Sequence, residues 1–155
     1  MQQKTKRPAA KEQQRISDEA VEKATGKRWD EWFRILDKYG AERHGHKATA
    51  QWLGKEQGLS GWWSQSVAIQ HEWARGLRAR ATLRFDGRDV PGDLIADGEQ
   101  MTFRGEEYSL GIPVAKVTKT EAKGGDVHVT FHRGTAVFAG VGTGAALWAK
   151  RFSGA

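Results

Sequence analysis

Apolar positions along the chain follow two periods, with the change at about residue 76. In SDEAVEKATG, Ser17 is placed to cap a helix, Asp18 and Glu19 favour its positive first turn, and Gly26 suits its end. Trp29, Trp32, Phe33 and Leu36 then fall at i, i+3, i+4 and i+7, one helical face that Gly40 closes. A third helix is expected over about His46 to Gln57, burying Ala48, Trp52 and Leu53 and ending at Gly58. Ser60 caps a longer fourth, GWWSQSVAIQHEWARG, stopping near Gly76. Its apolar rows carry Trp62, Trp63, Val67, Ile69 and Trp73, while Gln65, Ala68, Glu72 and Arg75 are expected opposite.

From Leu77 the period is two. Leu77, Ala79, Ala81, Leu83 and Phe85 point one way, and Arg78, Arg80, Thr82 and Arg84 the other. Turn signals then recur at Asp86-Gly87, Asp97-Gly98, Arg104-Gly105, Gly124-Gly125 and Arg133-Gly134. Counting the runs at 88–96 and 115–121, they delimit about seven strands, with Pro91 and Pro113 at edges or bends. A short helix, TGAALWAKRF, closes the chain with Leu147, Trp148 and Phe152 on a shared face. The pattern predicts an α+β chain: a small four-helix domain at 17–76, then at 77–155 a seven-stranded antiparallel barrel or split sheet with a C-terminal helix.

Composition narrows the chemistry. The 155 residues include no cysteine, so disulfides, thiol nucleophiles and thiolate metal sites are excluded together, and a reducing compartment is favoured. The basic start MQQKTKRPAAKEQQRISDEA has no apolar run behind it, so it is not a secretory leader, and no stretch approaches the ~20 apolar residues of a membrane span. The expectation is a cytoplasmic protein without membrane insertion. The net charge of +6 is unevenly spread. Residues 1–16 hold five bases (Lys4, Lys6, Arg7, Lys11, Arg15) against Glu12, residues 17–76 balance, and residues 77–155 carry a slight excess. The polar composition of 1–16 predicts a disordered basic arm.

Several segments imitate functional motifs. AQWLGKEQGLSGWWSQSVAIQHEW has a helix–turn–helix outline, but its second helix opens on Gly61, Trp62 and Trp63 and meets no base before Arg75. A buried helical hairpin therefore outweighs a DNA reader. Arg78, Arg80 and Arg84, joined by Arg75 and Arg88, form a candidate phosphate-gripping face, weighed against a solvated strand face and the nearby Asp86 and Asp89. Trp62 and Trp63 point about 100° apart on a helix, so either both enter the core or one faces a partner. His44 and His46, placed in a loop, and His71 lack a metal-binding spacing, and no metal or cofactor is expected. His128 and His132 share an outward strand face. GVGTGA at 140–145 resembles a dinucleotide fingerprint, without the following strand and acidic residue that motif needs. No P-loop, nucleophile elbow or zincin motif occurs, so the chain is read as no enzyme.

Two resemblances add to this. The runs ATGKRWDEWFRILDKYGA and GLSGWWSQSVAIQHEWARGLR make residues 20–76 resemble an uncharacterised bacterial helical domain often found ahead of START-like domains, which brings no known activity. The strand count and final GTGAALWAKRF helix make 77–155 resemble a pleckstrin-homology or GRAM-like domain, which implies binding of peptides, proteins or headgroups. The functional expectation is a non-enzymatic binding or adaptor protein. It takes nucleic acid or another polyanion on the basic arm and Arg strand, or alternatively a protein or small ligand on Trp62 and Trp63.

Overall fold

The computed structural model describes residues 16–154. The chain divides between Arg75 and Gly76 into two compact units. The expected arm, with Lys4, Lys6, Arg7, Lys11 and Arg15, lies outside the described residues.

The first unit is helical: α1 (Asp18–Thr25), α2 (Trp29–Tyr39), α3 (Ala41–His44), α4 (His46–Gln57) and α5 (Gly61–Ala74). Four of these stand where the period and caps place them. Ser17 Oγ accepts from the Ala20 amide at 3.1 Å, and Ser60 Oγ from that of Trp63 at 3.2 Å. Gly26, Gly40 and Gly58 end their helices in the left-handed conformation, where a Cβ would be strained. The fifth, the single turn α3, replaces the expected loop, so His44 ends one helix and His46 begins the next. Val21, Trp29, Trp32, Leu36, Leu53 and Val67 form the core, and two tryptophans bring their own hydrogen bonds inward. Trp32 Nε1 donates to Thr25 Oγ1 at 2.9 Å and Trp29 Nε1 to the Ile16 carbonyl at 2.6 Å.

The second unit carries β1 (Arg78–Phe85), β2 (Arg88–Asp97), β3 (Gln100–Gly105), β4 (Ser109–Pro113), β5 (Val117–Lys123), β6 (Asp126–Phe131), β7 (Gly134–Ala139) and α6 (Ala145–Phe152). The strands make one antiparallel sheet in the order β4-β3-β2-β1-β7-β6-β5. Of the two expected forms the split sheet is the one found, because among the described residues β4 and β5 remain edges and no ladder closes a barrel. Asp86 and Gly87, both at positive φ, make the two-residue turn that sets the β1–β2 register. Pro113 ends the edge strand β4, and Pro91 lies where β2 runs past the end of its ladder with β3. Ala145, Trp148, Ala149 and Phe152, at i, i+3, i+4 and i+7, seat α6 on the core of Leu83, Phe103 and Phe138. Leu147 does not share that face; it is exposed. The glycines of GVGTGA form a tight strand-to-helix turn, with Gly140 and Gly142 at positive φ. Among the described residues no helix is long and apolar enough to cross a membrane.

Candidate functional site

Trp62 and Trp63 open α5, directly after the Ser60 cap. Their 100° separation sends them to different surroundings. Trp63 packs against the helical core, while Trp62 is 62% exposed and stands edge-on to it, ring centroids 4.8 Å apart. Trp62 and Leu147 are the large apolar side chains left exposed among the described residues.

A chain of polar contacts starts one turn along the helix from Trp62 and leads inward. Gln65, one turn along α5, is exposed, and its Oε1 lies 2.7 Å from His46 Nε2. His46 Nδ1 lies 2.6 Å from Glu72 Oε2. The histidine starts α4 and both its partners lie on α5, so the Gln65–His46–Glu72 chain fastens these two helices, its Gln65 end one turn from Trp62. Rotation of the Gln65 amide satisfies His46 Nε2 as donor or acceptor. Glu72 and Ala68, expected on the outer face of α5, are both buried. The apolar stripe alone hid this, because α5 is covered over an arc that includes Ser64, Val67, Ala68, Gln70, His71 and Glu72.

A second polar hub joins α2 to α5. Asp37 receives Arg75 through three hydrogen bonds, Nε to Oδ1 at 3.0 Å and to Oδ2 at 3.2 Å and Nη2 to Oδ2 at 2.8 Å, and its Oδ1 lies 2.8 Å from His71 Nε2. Arg75 also covers the Phe33 ring at 5.3 Å. The Arg75 hydrogen bonds hold the Asp37 pKa below the usual 3.8, with His71 adding to the effect and partial burial opposing it. A depressed carboxylate pKa contributes stability that is fully present above the unfolded value and lost as pH falls through the folded one. Because Asp37 is 47% exposed, the magnitude is that of a surface pair. Asp37→Asn is therefore expected to cost about 1 kcal/mol from pH 5 to 7. In urea titrations of both proteins the gap should narrow as pH falls below 3.8 and through the lower folded pKa; a gap that does not narrow on acidification contradicts the assignment.

The expected basic face is reorganised by the strand register. The Asp86-Gly87 turn pairs Arg80 with Asp93 and Arg84 with Asp89. Asp93 accepts from Arg78 Nη1 at 2.7 Å and from Arg80 Nη1 at 3.0 Å, and Arg84 Nε lies 3.7 Å from Asp89. Arg78 is largely buried by its position. Arg75 belongs to the helical unit and is spent on Asp37. Arg88 pairs with the inward Phe85 and stacks on Tyr108 at 4.4 Å, so it lies on the opposite side of the ribbon from Arg84. Arg80 and Arg84 keep 59% and 57% of their side chains exposed. Arg104, across β3 from Asp93, is a cation the sequence reading passed over; the β2–β3 register brings it to this row.

The remaining candidates separate. His44 stacks on Tyr39 at 4.4 Å, His46 turns to Glu72 and His71 to Asp37, so the three imidazoles have different partners. Among the described residues no three His, Cys, Asp or Glu side chains are grouped to hold a metal ion. His128 lies in β6 opposite Glu121, while His132 falls in the following turn rather than on the strand. The helix–turn–helix outline is realised as α4 and α5, with Gly61 and Trp62 exposed at the start of the second helix.

No family model matches the chain, and no curated protein does. Among solved structures, the C-terminal domain of an unknown protein from Leishmania infantum is similar over 50% of this chain and 78% of that one, at TM-score 0.43 and 8% identity.

Proposed function

We propose that the chain is a non-enzymatic binding module whose helical unit takes a protein partner on Trp62. The observation that carries this is a tryptophan left 62% exposed at a capped helix start, one turn from an exposed Gln65 whose amide is held by His46. Exposed tryptophan on a rigid helix, with a hydrogen-bonding group one turn away, has the make-up of an interface hot spot. Its exposure also makes Trp62→Ala a mild change to the fold, within about 0.5 kcal/mol. The four helices at their expected bounds support the likeness of 20–76 to the bacterial helical domain. Seven antiparallel strands ending in a helix support a pleckstrin-homology-like reading of the second unit.

A second reading keeps the polyanion, most simply nucleic acid. It is favoured by the row Arg78, Arg80 and Arg104 around one Asp93, a local surplus of positive charge, and by the basic composition of residues 1–16. One experiment separates the two. The tagged full chain, Trp62→Ala and Arg80→Ala/Arg84→Ala are used to capture partners from lysate, with and without nuclease. The Trp62 reading expects a protein that survives nuclease and is lost with Trp62→Ala alone. Capture abolished by nuclease or by the arginine variant, and indifferent to Trp62, replaces it with the polyanion reading.

A further inference from the structure

The sheet ends at β5, and that edge is unfinished. Gly124 and Gly125, both at positive φ, make a two-residue turn between Lys123 and Asp126. In such a hairpin the closing pair exchanges both hydrogen bonds, and bonded and non-bonded pairs then alternate. Lys123, Glu121 and Lys119 therefore bond to β6, while the amides and carbonyls of Thr120 and Ala122 point to the free edge. Ala122 pairs with Val127 and Thr120 with Val129, both valines fully buried, so these two side chains face the inner side of the sheet. Ala122 is nonetheless exposed and Thr120 half-buried, because the inner face lacks cover at this margin.

Helix α6 runs beside that margin. The Gly142 amide, just before α6, donates to the Gly125 carbonyl at 2.8 Å. At its other end a Cβ on Gly154 would sit 3.2 Å from Val114, just before β5 begins. The helix thus passes antiparallel to β5 along its length, exposing Ala146, Leu147 (51%) and Lys150. A strand added to β5 extends the inner face toward α6. The charge of the edge selects the strand: Lys116, Lys119 and Lys123 stand against Glu121, with Lys150 on the helix. Self-pairing through Thr120 and Ala122 would set Lys119 opposite Lys123 and Glu121 opposite its copy, like charges in every outward pair.

We propose that the β5 edge, flanked by α6, is a docking site for an acidic peptide segment, which adds to the sheet as an extended strand. This site is independent of Trp62. The probe is a fluorescein-labelled peptide of about ten residues alternating Glu and Val, compared with its Lys-for-Glu counterpart by anisotropy against the full chain. The Glu peptide is expected to bind about tenfold or more tighter, and to slow hydrogen exchange at the Thr120 and Ala122 amides. Ala122→Pro removes one edge donor without touching the β6 ladder, so it should weaken binding about tenfold at an unchanged melting temperature. Lys119→Glu/Lys123→Glu should reverse the peptide preference without relying on that proline. The assignment is overturned by absence of binding at 1 mM Glu peptide, by protection elsewhere in the chain, or by affinity indifferent to the lysine reversal. Concentration-dependent dimerisation that protects the same two amides gives the edge to a second copy and equally overturns it.

Discussion

Trp32→Ala is expected to lower the unfolding free energy of the helical unit by about 4 kcal/mol, the cost of emptying a large aromatic from a core that cannot collapse around the gap. Trp32 is almost wholly buried among Val21, Leu36, Leu53 and Val67, and its indole N–H is bonded to Thr25 Oγ1 at 2.9 Å. Thr25 Oγ1 has its own acceptor in the Val21 carbonyl at 2.6 Å, so removing the indole leaves no stranded donor on that side. The loss is then dominated by volume, and Trp32→Phe, which keeps most of a ring, should cost about half as much. Urea unfolding followed by tryptophan fluorescence checks this, since six of the seven tryptophans lie in the helical unit. A loss for Trp32→Ala below about 1.5 kcal/mol, or one equal to that of Trp32→Phe, would remove Trp32 from its place as the central anchor. Against the 5–15 kcal/mol typical of whole domains, the expected loss takes most of the margin of so small a unit.

What the sequence made legible here is local. Ser17, Ser60 and the glycines at 26, 40 and 58 act within a turn of their own helices, so caps and stops could be placed from neighbours alone. Strand alternation and two-residue turns behaved likewise: Asp86-Gly87 sets the register, from which the pairing of Arg80 with Asp93 follows by counting. That count was available in the sequence, and it is what turns an apparent basic face into a partly neutralised one. The turn α3 escaped because four residues between Gly40 and Gly45 show no period, and Gly40 reads as a stop. Glu72 escaped for a different reason. A carboxylate on a helix is assigned to solvent unless its partner is known, and His46 lies 26 residues earlier on another helix. The exposure of Trp62 was open for the same reason, since helical spacing gives the angle between adjacent side chains and not which of them the rest of the unit covers.

Both binding surfaces proposed above sit on elements pinned by such non-local pairs. Trp62 rides on the first turn of α5, whose seating on α4 runs through Gln65, His46 and Glu72. The β5 edge depends on α6, whose start and end are held near Gly125 and Val114. Small shifts in these supports should therefore move the sites without unfolding their units. This makes the His46–Glu72 pair the more informative target.

Glu72→Ala is expected to cost about 2–3 kcal/mol, as is typical when one partner of a largely buried polar contact is removed, with His46 keeping its contact to Gln65. Glu72 is buried within α5 and its Oε2 lies 2.6 Å from His46 Nδ1. If the pair is the source of the loss, His46→Leu/Glu72→Met should recover most of it, because two apolar side chains fill the space without an unmatched polar group. Glu72→Gln keeps the shape and one acceptor, and should fall in between. The double-mutant cycle of His46→Ala and Glu72→Ala, measured by urea unfolding, should give a coupling of about 2 kcal/mol or more. Strictly additive losses would show that the two side chains stabilise α4 and α5 separately and that the short contact is incidental. The same variants bear on Trp62: with His46 gone, Gln65, one turn away, loses the partner that holds its amide. Capture through Trp62 should then weaken in His46→Leu/Glu72→Met even where stability has returned, a separation that a purely structural role for the pair does not produce.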